Sequence, residues 1–218
     1  MVSSKPEKSN FPACSGLFIV LIALSCLSAS CSVKRVEIPP HEEANLREEI
    51  ARKGKIKSIE SVFSIEFRKN GSPEDGDAVL RLSPGNFDLQ VYSHGLLAAD
   101  IRTINNEIKS IPPLSRIVLR MLVDGLRSSF FWWSMEEYNA RDEGGKYIIS
   151  NSARTVLLNR KTLMPEEQAV EVEERWLIKV FYDEPKLFEN VMFPSVMRIE
   201  LANQSVKLKI ETLSITDY

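Results

Sequence analysis

Cysteine is scarce in this chain of 218 residues, and its placement is informative. The three cysteines, Cys14, Cys26 and Cys31, all lie near the amino terminus, and none follows residue 31. The folded part of the chain therefore has neither a disulfide framework nor a thiol nucleophile. A length near 200 residues favours one globular domain.

Histidine and an excess of one charge are lacking too. The two histidines, His41 and His94, are too few for a histidine-based metal cage, and 28 basic residues balance 30 acidic ones. Because no stripe of Lys and Arg stands out, we expect no nucleic-acid partner. The sequence also holds no nucleophile–base or metal constellation, so we expect neither an enzyme nor a cofactor.

One long hydrophobic run is present, GLFIVLIALSCL at residues 16–27. Lys5 and Lys8 precede it and three small residues follow it at 28–30, which is the order of a secretory signal. As a helix the run would span roughly 18 Å, less than the ~30 Å hydrocarbon core of a bilayer, so a transmembrane anchor is the weaker interpretation. We predict a signal peptide over residues 1–30.

Residues 27–31, LSASC, resemble the lipobox of bacterial lipoproteins. The resemblance implies cleavage before Cys31 and acylation of that cysteine, for instance with palmitate, so that lipid anchors the chain to a membrane. Cys26 is a second, poorer candidate for the modified residue. Ser32, where an aspartate would retain such proteins elsewhere, implies the periplasmic face of the outer membrane.

A tether and a helix are predicted next. Residues 31–40 are polar and end in two prolines, which neither a helix nor a central strand accommodates. Residues 41–53 begin with acidic and end with basic side chains before Gly54, a pattern typical of a helix. The remaining domain, residues 41–218, is predicted to be single.

Strands dominate the domain, since apolar and polar residues alternate over long stretches. Turn-forming residues at 70–71, 83–85 and 105–106 separate the first strands and predict consecutive hairpins. Six further strands are predicted at 146–150, 155–158, 166–173, 175–183, 195–201 and 206–214. The apolar residues expected on the inner face of the first strands are Phe63, Ile65, Phe67, Leu80, Leu82, Phe87, Leu89 and Val91.

A mostly apolar helix is predicted over residues 114–127, with Ile117, Met121 and Leu122 on the face that covers the sheet. Four consecutive aromatic residues follow it, and two interpretations of them stay open: buried packing, or contact with a membrane, a ligand or a protein partner. They are Phe130, Phe131, Trp132 and Trp133. The predicted fold class is α+β, a large curved antiparallel sheet or unclosed barrel of about 10–11 strands lidded by two or three helices.

The order of these elements resembles the LolA/LolB superfamily of periplasmic lipoprotein carriers and outer-membrane lipoprotein receptors. The segments that carry the resemblance are residues 82–91, the helix at 114–127 and residues 158–165, LNRKTLMP. It implies an unclosed barrel with a hydrophobic cavity for acyl chains, and a function as receptor or handover factor. Lipid or lipoprotein acyl chains, and a periplasmic carrier protein, are the implied partners.

The residues fit such a cavity by themselves. An acyl chain of about fifteen methylenes needs roughly 12 kcal/mol of apolar contact and no fixed polar partner. The eight inward residues of the first strands, together with Ile117, Met121 and Leu122, are the predicted cavity lining. A packed interior is the alternative, in which case a structural or assembly lipoprotein that binds a protein partner is expected.

Overall fold

The computed structural model describes residues 40–69, 71–105, 107–173 and 176–217. The predicted signal peptide, Cys31 and the tether up to residue 39 lie outside these residues. Arg35–Tyr218 is one compact unit, and the whole described hydrophobic core belongs to it. None of the described helices combines the length and the apolar character needed to cross a membrane.

Two helical regions and twelve strands make up the described chain. Helix α1 is Pro40–Lys53. A central helix over residues 116–130 consists of α2 (Arg116–Arg120), a π-helical turn (Met121–Gly125) and α3 (Leu126–Phe130). The strands are β1 (Ile56–Lys69), β2 (Ser72–Ser83), β3 (Asn86–Ser93), β4 (Leu96–Ile104), β5 (Glu107–Ile111), β6 (Asn139–Glu143), β7 (Lys146–Ser150), β8 (Arg154–Asn159), β9 (Pro165–Glu173), β10 (Trp176–Phe188), β11 (Val191–Leu201) and β12 (Gln204–Asp217).

All twelve strands belong to one antiparallel sheet in the order β5-β4-β3-β2-β1-β12-β11-β10-β9-β8-β7-β6. Two meanders, β1 to β5 and β6 to β12, meet where β1 pairs with β12, with Phe63 opposite Ile210 and Phe67 opposite Val206. The strands at the two ends of the order, β5 and β6, are joined through the central helix. The predicted α+β fold with an unclosed antiparallel sheet is confirmed.

The sheet has one more strand than the sequence patterns predicted. Strand β6 reads NARDE and shows no apolar alternation, so period-two reasoning missed it. Its most buried residue is Asp142, which is 8% exposed and whose carboxylate lies 2.9 Å from the guanidinium of Arg160. A charged pair therefore stands where a strand pattern would place an apolar side chain.

The central helix packs directly on the sheet. The ring of Phe130 stacks on that of Phe193 in β11 with centroids 5.6 Å apart, and lies 6.3 Å from the ring of Phe63 in β1. Gly125 faces β11 so closely that a Cβ there would lie 2.7 Å from Cγ2 of Ile199. The absence of a side chain at residue 125 thus allows the helix its close approach.

Candidate functional site

A cleft of about 570 Å³ opens where the end of α1, the β2–β3 turn and the segment after the central helix come together. We call it the lid cleft. Its volume lies within the range of about 300–1,000 Å³ that is common for small-molecule sites. Its apolar walls consist of Ile50, Ile56, Pro84, Phe131, Trp133 and Met135, and its ionisable residues are Lys57, Arg127, Glu136 and Arg154.

The end of a helix and a tight turn shape this cleft. Helix α1 ends at Lys53, and the backbone N–H of the following Gly54 donates to the carbonyl of Ile50 at 2.8 Å, before β1 begins at Ile56. The predicted turn at residues 83–85 is present, and Gly85 has φ +82°, a conformation that favours glycine. The cleft is therefore bounded by the ends of elements rather than by the middle of the sheet.

The aromatic segment after the central helix is mostly inside the protein. Phe130 and Trp132 are fully buried and Trp133 is 3% exposed, whereas Phe131 is half-buried. Trp133 packs edge-on against Phe131, Trp132 and Phe193, with centroids 5.6–6.3 Å apart. Of the four predicted contact residues, Phe131 and Trp133 border the lid cleft, and a membrane or partner contact through them stays a prediction.

The predicted cavity residues are brought together, but as a packed layer. Eight of them are buried, and Phe67, Val91 and Ile117 are partly buried and pack against the same cluster. The side chains of Met121 and Leu122 are among those that fill the space between central helix and sheet. None of the eleven residues lines the lid cleft, so their role as cavity lining also stays a prediction.

Arg154, at the start of β8, holds the aromatic segment in place. Its Nη1 donates to the carbonyls of Phe131 and Ser134 at 3.3 and 3.2 Å. Its Nη2 donates to the hydroxyl of Ser128 at 3.4 Å. Burial lowers the pKa of Arg154, because the charged form loses its hydration. Sequence reasoning missed this residue, since a single arginine at a strand end carries no pattern.

A buried polar pair lies beside it, under the end of the central helix. The hydroxyl of Tyr182 donates to Oε1 of Gln168 at 2.9 Å, and Nε2 of Gln168 donates to the carbonyl of Ser128 at 3.3 Å. Burial raises the pKa of Tyr182. The pair satisfies polar groups that would otherwise be buried alone, and so fixes the position of the helix end on the sheet.

Lys53 attaches α1 to the same region. The side chain is 2% exposed, and its Nζ donates to the carbonyl of Met192 at 3.2 Å and lies 3.6 Å from Oε1 of Glu49. Nζ also lies over the rings of Trp132 and Trp133, 5.7 and 5.4 Å from their centroids, which is a cation–π geometry. Burial lowers the pKa of Lys53.

No group of three or more His, Cys, Asp or Glu side chains in the described ranges could hold a metal ion. His94 is exposed and occupies the turn between β3 and β4, with Nδ1 at 3.1 Å from the hydroxyl of Ser93. The lid cleft combines apolar walls with cationic groups, an arrangement suited to holding a molecule.

Large apolar side chains are exposed at one end of the sheet. Leu96 and Leu97, which open β4, are 75% and 53% exposed, and Ile111, at the end of β5, is 75% exposed. Strands β4 and β5 pair with each other, and β5 is an edge strand. This group, Leu96, Leu97 and Ile111, is called the edge patch below.

Comparison with solved structures identifies the fold. The chain resembles a LolA superfamily protein from Nitrosomonas europaea with a TM-score of 0.56 and 11% sequence identity, over 78% of this chain and 94% of that protein. Two further structures are a DUF1329 family protein from Desulfovibrio piger (TM-score 0.49, 9% identity, 78% and 90% covered) and an outer-membrane lipoprotein-sorting domain from Vibrio parahaemolyticus (0.45, 13%, 80% and 93%). No family model and no curated protein matches the chain. The predicted LolA/LolB-like fold is thus confirmed, as a fold.

Proposed function

We propose that this chain is a lipoprotein of the bacterial envelope that binds the acyl chains of lipids or lipoproteins in the lid cleft. It would act as a receptor or handover factor rather than as an enzyme. The observation that carries the proposal is the cleft itself, with its apolar walls placed between the helical lids of a LolA-like sheet.

The walls suit a flexible hydrocarbon. Each methylene moved out of water contributes about 0.8 kcal/mol, so several methylenes of an acyl chain against these walls give useful affinity without a fixed polar partner. Phe131, which is half-buried, offers an apolar ring at the cleft wall, and the unbranched thioether of Met135 adapts to an irregular ligand. Deeper entry would require the central helix to lift from the layer of predicted cavity residues.

The anchor and the location belong to the same proposal. Residues 1–30 would be removed as a signal peptide, Cys31 would carry the acyl chains, and residues 31–40 would tether the domain 41–218 to the periplasmic face of the outer membrane. Two or three acyl chains make such an anchor effectively permanent. A periplasmic carrier protein would be the partner from which cargo is received.

A second candidate is a structural or assembly lipoprotein that binds a protein partner. Two observations favour it: the packed layer under the central helix and the exposed apolar edge patch. Exposed apolar groups of this kind commonly mark interaction surfaces. The two candidates differ in what the lid cleft does.

Quenching of tryptophan fluorescence by a brominated acyl chain tests the proposal. Residues 32–218 are titrated with a brominated monoacylglycerol, whose head group is neutral, so that only apolar contact is probed. We expect saturable quenching that is reduced in Trp133→Phe, because Trp133 borders the cleft, whereas Trp132 remains 5.6 Å behind the substituted ring. Trp176→Phe is the matched control, since Trp176 lies on β10 and is absent from the cleft walls. Absence of saturable quenching would contradict acyl-chain binding and favour the assembly protein.

A further inference from the structure

The ionisable groups of the lid cleft are unbalanced in sign. Three cationic side chains, Lys57, Arg127 and Arg154, border the cleft, against the single carboxylate of Glu136. Arg127 and Arg154 also border a second, smaller cleft of about 330 Å³, which Arg120, Asp124 and Glu171 border as well. Within the lid cleft, the apolar walls and the cationic groups thus border the same space.

Neither arginine is neutralised by a carboxylate of the described chain. The guanidinium of Arg127 lies 5.8 Å from the ring centroid of Phe87 and has no acidic partner among the described residues. Among the described residues, the guanidinium of Arg154 donates to two carbonyls and one hydroxyl, none of which carries a negative charge. Burial of Arg154 without a counter-charge is unfavourable, and an anion in the cleft would relieve that cost.

We propose that the lid cleft takes an amphiphile with an anionic head group, whose oxyanion lies between Arg127 and Arg154 and whose acyl chain lies on the apolar walls. The inference rests on the proposed function and adds the chemical class of the cargo. Guanidinium groups bind phosphate and carboxylate oxygens through paired hydrogen bonds, which makes arginine better suited to this task than lysine.

The apolar and cationic parts define the direction of the ligand. Phe131 neighbours the Arg154 hydrogen bonds, since its carbonyl accepts one of them while its side chain borders the cleft. Arg127 lies in α3, one helical turn before Phe131, whose N–H donates to the carbonyl of Arg127 at 3.0 Å. The head group would therefore lie beside α3, with the tail directed towards α1 and the β2–β3 turn.

Two ligands that differ only in a phosphate provide the test. Binding of 1-lauroyl lysophosphatidic acid and of 1-lauroylglycerol to residues 32–218 is measured by calorimetry, below the concentration at which either forms micelles. Glycerol 3-phosphate, the head group without a tail, separates a lipid head-group site from a site for free phosphate. Arg127→Gln removes one of the two guanidinium groups proposed to bind the phosphate. Arg198→Gln controls for the change in net charge, because Arg198 is an exposed residue on β11 outside the cleft.

We expect the phosphate-bearing lipid to bind roughly tenfold more tightly than the neutral one, and the difference to shrink as salt screens the charges. Arg127→Gln should abolish most of this difference in affinity and change the affinity for the neutral lipid by no more than about twofold. Arg198→Gln should leave the difference between the two lipids unchanged. Equal affinities in the unaltered protein, a ratio that survives Arg127→Gln, or binding of glycerol 3-phosphate as tight as that of the lipid would each overturn the anionic site while leaving acyl-chain binding intact. If neither lipid binds, both proposals fail.

Discussion

Gly125→Ala tests whether the central helix is seated on the sheet as closely as described. Gly125 has φ −64°, so alanine fits the backbone without strain. Its added Cβ would lie 2.7 Å from Cγ2 of Ile199, whereas carbon atoms pack at about 3.5–4.0 Å. The mismatch is about 1 Å, so the helix must rise or Ile199 must move.

Two opposing effects set the size of the change. Overpacking of a core costs about 1–3 kcal/mol, and Ile199 is a β-branched residue on a central strand whose Cγ2 cannot swing away freely. Alanine stabilises a helix over glycine by about 0.5–1 kcal/mol. We expect a net loss of about 1 kcal/mol, equivalent to roughly 2–4 °C in Tm for a domain of this size.

Ile199→Leu provides the matched partner, because leucine carries its branch at Cγ and lacks the methyl group that clashes. In that background Gly125→Ala should cost less than in the unaltered protein, with a coupling of about 0.5–1 kcal/mol. Urea unfolding of residues 32–218, followed by tryptophan fluorescence, gives the free energies from midpoints at constant slope. Unchanged or increased stability of Gly125→Ala, with no coupling to residue 199, would refute the close seating of the helix.

Three further predictions concern the lids and the anchor. Because the pKa of Lys53 is lowered in the folded protein, the unfolded chain binds more protons than the folded one between that pKa and about 10.4. The free energy of unfolding should therefore rise with pH in this window, and Lys53→Met should remove the rise. Urea midpoints measured from pH 7 to 10 check both expectations. A Tyr182→Phe variant leaves Oε1 of Gln168 without its donor and should lose about 1–3 kcal/mol in the same unfolding assay, and an unaffected midpoint would contradict the network. Cys31→Ser should abolish labelling of the chain with palmitate in cells, and labelling that continues would transfer the acylation to Cys26.

Much of the sheet follows from alternation in the sequence. Parts of strands β1, β2 and β3 bury alternate residues in the core, and most of these buried residues are the apolar ones that the pattern selects. Where a polar residue takes the inward position, the pattern does not identify that residue as buried. Gln168 on β9 is buried with a hydrogen bond from Tyr182, and Asp142 on β6 is buried in an ion pair with Arg160. A local sequence pattern cannot predict a partner that is distant along the chain.

The central helix was predicted, but its internal geometry was not. Apolar spacing of three and four residues indicates a regular helix, whereas Met121–Gly125 form a π-helical turn. The lid cleft was beyond sequence reasoning for a related reason. Its walls come from α1, the β2–β3 turn, the aromatic segment and Arg154, which only the folded topology brings together.

The pairing of β1 with β12 has a consequence for how the protein is made. The register places Ile56 opposite Asp217, so the middle of the sheet joins residues from the two ends of the domain. Each meander can form from local hairpins, but the two meanders can pair only after β12 has been made. Pairing between segments so distant along the chain slows folding. A secreted chain would therefore have to cross its membrane almost completely before the sheet could close. Truncation within β12 would separate the two halves rather than trim an edge.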